Sequence, residues 1–260
     1  EIPPTFECGL ANQVDFTSVA GAIYGTSVQF ITGQQSNVNF ALNYPGQWVE
    51  SNNPDVFLPC YFFGDNVNGV TQVKNAAGFV AYKFLDNGVP VGHSESTGAP
   101  APKVLSTYEE VGALYGVAFS RQAKKIFTSA VMRRHSAFGP MGSGGIYMID
   151  PYAAGEPTYQ FLNLDAIGIA TRGTGTYPPL IINPADPAYN TSPVSTVIGT
   201  NTDRGLNLTP FDPSTDHAAG DQVGKVSIGD IDISDDGRYL YIVNLYDRKL
   251  YEIDLLNPLA

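Results

Sequence analysis

The stretch from Gly229 to Leu255, GDIDISDDGRYLYIVNLYDRKLYEIDL, narrows the possible folds more than any other, because its pattern occurs twice. Ile231 and Ile233 alternate with Asp230 and Asp232, the two-residue period of a strand. Asp235-Asp236-Gly237 supplies a tight turn, and Tyr239–Asn244 has the β-branched and aromatic content of a second strand. Tyr246-Asp247-Arg248 turns the chain again into a third strand over Lys249–Asp254. An earlier block repeats this meander. Ser120 falls on Ser234, Lys124 on Arg238, Ile126 on Leu240 and Phe127 on Tyr241, all at one offset of 114 residues. Ile146–Asp150 then mirrors Leu250–Asp254 at an offset of 104. The difference falls between the second and third strands, where the earlier unit inserts Met132 to Gly144. Phe79-Val80-Ala81-Tyr82 reads as a looser third copy of the closing strand.

Small repeated sheets cannot bury both faces alone, and they do so by stacking on their neighbours. The chain therefore reads as all-β, a β-propeller with long inter-strand insertions. The spacing exceeds the ~40–50 residues of a common blade. Either the insertions are long, or a degenerate blade uses Tyr159–Leu164 and Pro179–Ile182. Three to four blades are recognisable, whereas closed propellers have typically about four to eight. The sequence stops just past a third strand, at Leu256-Asn257-Pro258. The expectation is part of a propeller, completed by further sequence or by another chain. Residues 1–54 form a strand-rich N-terminal segment expected to pack on the propeller, and residues 55–260 form the blades. Val56–Leu58 and Cys60–Phe63 read as one nearly continuous apolar strand buried on both faces. Gly173–Asp221, rich in Thr, Pro, Asn and Asp, reads as a long surface excursion.

With those residues quoted, a likeness emerges. Residues 111–150, including the distinctive RRHSAFGPMGSGGIY, and residues 224–255 resemble a propeller region of large bacterial surface proteins. Those proteins often also carry Cna B-like repeats of the serine-aspartate adhesin type. The resemblance covers about 72 of 260 residues, and Asp55–Phe84 more faintly. It implies an exported location and a propeller continuing past this sequence, and it supplies no catalytic residues.

Charge limits the partners. The formal net charge of −11 disfavours sequence-independent binding to nucleic acid or to anionic membrane. Against that background Arg121, Lys124, Lys125, Arg133, Arg134 and His135 gather positive charge in 15 residues. They read as a solvated hairpin edge or as a contact for an acidic partner or polysaccharide. No run of 18 apolar residues exists, so no transmembrane helix is expected. The sequence starts at Glu1 without Met or an apolar leader, so any signal peptide is expected to have been removed or to lie outside this sequence. Cys8 and Cys60 can close a 52-residue loop as a disulfide, or remain two thiols. Asn190-Thr191-Ser192 and Asn207-Leu208-Thr209 match the glycosylation pattern.

No catalytic constellation emerges. His93, His135 and His217 lack close metal-ligand spacing. Gly142-Ser143-Gly144 lacks the first glycine of a nucleophile elbow, since Met141 stands there, and reads as a turn. The Gly-rich segment after His135 offers backbone amides to an anion. Asp230 and Asp232 share one strand face, and with further oxygen ligands from neighbouring blades they would hold Ca²⁺. The repeat-equivalent positions are Gly116 and Ala118, so that ring is incomplete. Trp48, the sole tryptophan, reads as a core aromatic or a sugar-stacking platform. The leading expectation is a non-enzymatic, exported structural or adhesive module of a bacterial cell-surface assembly, without cofactor. Its partners would be other protein chains, the remainder of the same polypeptide, or surface polysaccharide. The alternatives are a propeller hydrolase or lactonase with a channel metal, and a carbohydrate-binding module.

Overall fold

Strands account for most of the regular structure, because the sequence is built of short β-branched and aromatic runs cut by turn residues. The computed structural model describes residues 53–86, 88, 90, 96–155, 157–177, 185 and 195–256, together with Gln34 and the strand pair 7–8 and 42–43. The chain divides into two units, one of residues 1–55 and 83–85, the other of residues 56–82 and 86–260. In the first, β1 (Glu7–Cys8) pairs antiparallel with β2 (Leu42–Asn43), and Lys83 Nζ meets Asp55 Oδ1 at 2.9 Å. The remaining expectations for residues 1–54, including those for Trp48, lie outside the described residues.

The second unit carries three small sheets. The first has the order β3 (Asp55–Pro59), β4 (Ala77–Lys83), β5 (Lys103–Thr107). The second has four strands in sequence order: β6 (Leu114–Ser120), β7 (Lys125–Ala130), β8 (Gly145–Ile149) and β9 (Thr158–Asn163). The third runs β10 (Ile228–Ile233), β11 (Tyr239–Asn244), β12 (Lys249–Asp254). Single-turn helices α1 (Thr71–Lys74), α2 (Tyr108–Val111) and α3 (Ala219–Gln222) lie in the connections. None of the described helices is long and apolar enough to cross a membrane.

The repeat read from the sequence is a repeat of hydrogen-bonding register. Ala118 pairs with Phe127 as Asp232 pairs with Tyr241, and Phe119 with Ile126 as Ile233 with Leu240. Both hairpins carry the same irregularity, between Leu114 and Val117 in one and between Ile228 and Ile231 in the other. The third strands keep step too: Ile126 faces Ile149 as Leu240 faces Ile253, and Ser129 faces Ile146 as Val243 faces Leu250. A one-residue slip would turn every side chain to the opposite face, so shared register means shared packing logic.

That logic puts the second sheet between its neighbours. Ile126, Tyr147 and Ile149 join a buried cluster with Phe79, Leu105 and Leu114 on one side. Phe127 and Ile146 join Ile228, Ile231, Leu240 and Ile242 on the other. Close approach of the second and third sheets depends on Gly116. A Cβ there would lie 2.8 Å from Ile231 N and 2.7 Å from Ser129 Oγ, and Ser129 Oγ donates to Gly229 O at 3.1 Å.

Several expectations need correction. Phe79–Tyr82 lies in the central strand of its sheet, not the closing one; an apolar run reads alike in either position. The strand begun at Val56 ends at Pro59, with one further backbone bond from Cys60 N to Gly78 O, and it is not buried on both faces as expected, since Leu58, Tyr61 and Phe63 are exposed. Tyr159–Asn163 belongs to a fourth strand of the second sheet instead of a separate blade, and Pro179–Ile182 lies outside the described residues. Gly173–Asp221 is not a surface excursion throughout: Arg204, Leu206, Asn207, Asp216 and Ala219 are buried. Leu206 packs with Val73, Tyr108 and Ala137, and Ala219 with Met132 and Val226.

Candidate ligand-binding cleft

The insertion between β7 and β8 is the longest departure between the two repeats, and residues 204–216 fold against it. Their junction is a buried ion pair. Arg204 Nε donates to Asp216 Oδ1 at 2.9 Å and Arg204 Nη2 to Asp216 Oδ2 at 2.7 Å, a two-point pairing suited to a planar guanidinium. Both residues are fully buried. Part of the remaining capacity of the pair goes to the insertion, while Arg204 Nη1 is buried without a partner among the described residues. Arg204 Nη2 also donates to Arg133 O (3.2 Å) and Ser136 O (2.8 Å), and Asp216 Oδ2 accepts from the backbone N–H of His135 at 2.6 Å.

These bonds hold His135 at φ 67° and Asp216 at φ 34°, backbone conformations that non-glycine residues enter only when surroundings impose them. A second set of anchors ties the insertion to residues 62–66. Ser136 Oγ donates to Phe62 O at 2.7 Å, Gly64 N to His135 O at 2.8 Å, and Asn66 Nδ2 to Phe138 O at 2.9 Å. The Tyr108 hydroxyl, buried between them, donates to Gly64 O at 3.1 Å and accepts from Ala137 N. Its burial pushes the phenol pKa far above the usual value.

The outer face of this junction is a cleft of about 430 Å³ lined by Tyr61, Phe63, Arg133, Arg134, His135 and Asp212, among others. Arg133 and Arg134 are exposed, and neither makes an ion pair with a described residue. The Arg133 guanidinium lies over the Tyr61 ring, 3.8 Å from its centroid. Phe63 stacks on Phe62 at 5.1 Å with the rings nearly parallel, yet stays 43 % exposed and lines the cleft. Burial and then the neighbouring Arg134 charge lower the His135 pKa, which favours the neutral imidazole. Asn207 also lines the cleft; its Nδ2 donates to Thr209 O, while its buried Oδ1 has no partner. With that side chain 4 % exposed, Asn207 is closed to a glycan as a modification site.

The other candidate residues lie elsewhere. Asp230 Oδ1 and Asp232 Oδ1 accept from the backbone N–H of the following residue, at 3.0 and 2.8 Å. Asp230 is the one carboxylate lining a second, mainly apolar depression of about 470 Å³, which Arg133 shares. Among the described residues no three His, Cys, Asp or Glu side chains gather as a metal site needs. Ser143 sits in a 3₁₀ turn, fully buried; its Oγ lies 2.8 Å from Thr171 Oγ1 and 3.2 Å from Asp165 Oδ2, a structural network. Lys125 of the basic stretch pairs with Asp150 across the sheet. Cys60 is a half-buried free thiol whose pKa burial raises. The side chain of Cys8, and the residues His93 and Asn190–Ser192, lie outside the described residues.

With this geometry in hand, similarity to known proteins adds little. The chain is 27 % identical over 154 residues to Colossin-D of Dictyostelium discoideum. That stretch is 59 % of this chain and 13 % of Colossin-D. No protein-family model and no solved structure matches.

One supporting loop carries a pH dependence. Asp65 is buried, which alone would raise its pKa; the amides of Asn68 and Val67 and the side chains of Asn68 and Asn201 outweigh this and lower it from 3.8. A carboxylate held lower in the folded state contributes fully above its unfolded pKa, and the contribution fades as pH falls through the folded value. Stability should therefore decline below about pH 4, with Asp65→Asn showing a shallower decline in urea midpoints measured across that limb.

Proposed function

We propose that the chain is a non-enzymatic, exported β-propeller-type module with a structural or adhesive role in an extracellular or cell-surface assembly. The observation that carries this reading is the stack itself. Two sheets share one register, bulge included, and the middle sheet is buried on both faces, as in a propeller whose blades bury one another. The third sheet then presents to solvent the face that its repeat equivalent buries. Leu250 is 66 % exposed where Ile146 is fully buried. Such a face suits a module that continues into further protein, and exposed arginines and aromatics line the cleft of about 430 Å³.

Two measurements test the reading. An antibody to residues 103–155 should label intact cells of the native source without permeabilisation. The purified chain should show no lactone or ester hydrolysis with added Ca²⁺ above that of Asp230→Asn/Asp232→Asn protein. Labelling only after permeabilisation would overturn the exported role; Ca²⁺-dependent turnover abolished by the double substitution would make the chain a hydrolase.

A further inference from the structure

We propose that the cleft formed by Tyr61, Phe63 and the Arg133–Ser136 loop binds a uronic-acid-containing glycan. The assignment names a partner class for the binding module proposed above and rests on that reading. The argument is one of chemical fit. An acidic chain spends few cations, and here two consecutive exposed arginines line one cleft without an ion pair to a described residue. Guanidinium forks match a carboxylate with two parallel hydrogen bonds. Beside them lies an aromatic residue: one face of the Phe63 ring is covered by Phe62, and the residue remains 43 % exposed. Apolar sugar faces stack on such rings, while their hydroxyls need mixed donors and acceptors.

The lining supplies both, from Asp212 and Ser214. Asp212 also selects among anions. A carboxylate in the lining accepts from hydroxyls but repels a densely charged phosphate or sulfate, so a single carboxylate on a hydroxylated ring fits best. The volume of about 430 Å³ falls within the range of small-molecule sites. The buried Arg204–Asp216 pair fixes the carbonyls of Arg133 and Ser136 and the amide of His135, so the fold itself holds the loop. Ordering therefore costs binding little.

The test is calorimetric titration of the whole chain with a tetrasaccharide of alternating glucuronic acid and N-acetylglucosamine. Its carboxyl-reduced counterpart and a hexaglutamate peptide serve as comparisons. The acidic tetrasaccharide should bind, and carboxyl reduction should weaken binding about tenfold or more, the worth of one charge-assisted pair. Arg133→Ala and Arg134→Ala should each cost a similar factor, and Phe63→Ala should weaken both tetrasaccharides. Because Arg133, Arg134 and Phe63 are exposed, melting midpoints of these variants should stay near wild type, which separates lost binding from lost folding. Failure of the acidic tetrasaccharide to bind, equal affinity for the reduced form, or hexaglutamate binding as tightly would overturn the assignment. Those results leave cell-surface labelling unaffected, so the two proposals fail separately.

Discussion

Asp216→Ala should destabilise the second unit by about 3–5 kcal/mol, read as a shift in the urea midpoint of the circular dichroism signal. The magnitude follows from what stays behind. Arg204 would keep its positive charge in a fully buried site, having lost both bonds to the carboxylate, and the His135 amide would lose its acceptor. That cost is a large part of the about 5–15 kcal/mol that holds a domain folded. Replacing both partners at once, as Arg204→Met/Asp216→Leu, should cost less than the single substitution, since no buried charge is then abandoned. A loss under about 1 kcal/mol for Asp216→Ala would mean that water reaches the pair and that it does not hold the insertion.

The second large effect tests the stack. Ile146→Ala should cost about 2–5 kcal/mol, the range for deleting a buried aliphatic side chain that leaves a cavity. Leu250→Ala, at the repeat-equivalent position, should stay within about 0.5 kcal/mol. The two residues occupy the same place in the ladder, opposite Ser129 and Val243. They differ in what lies over them: Ile146 is sealed among Ile228, Ile231 and Ile242, and Leu250 faces solvent. Equal and large losses at both sites would show that Leu250 is covered in solution.

How far the sequence spoke depends on the distance over which a pattern acts. Strand alternation in Ile231–Ile233, the turn at Asp235–Gly237 and the constant offset between the two hairpins are local signals, and the sheets preserve them down to the shared bulge. The role of Phe79–Tyr82 was harder to read, because central and closing strands of a buried sheet carry the same apolar run. The cleft was only half visible. Arg133, Arg134 and His135 stand out as a cationic cluster in an acidic chain, but their aromatic neighbours Tyr61 and Phe63 are about 70 residues away and read as core strand. Arg204 and Asp216 were missed altogether. They sit in a Thr-, Pro- and Asn-rich segment whose composition spells a loop, and composition says nothing of which charged residues a loop turns inward. The one available signal was an arginine in a segment poor in cations.

The doubled register has a consequence for how such a molecule can be altered. Since each hairpin stores its own alignment, the joints between strands are free to lengthen without disturbing the stack, as the segment between β7 and β8 does. New recognition surface can be grown at a joint while the frame stays fixed. Exchanging residues 131–144 for the short Leu245–Arg248 connection would remove the Arg133–Ser136 side of the cleft together with the carbonyls that accept from buried Arg204, so such a graft measures how much of the frame rests on the insertion.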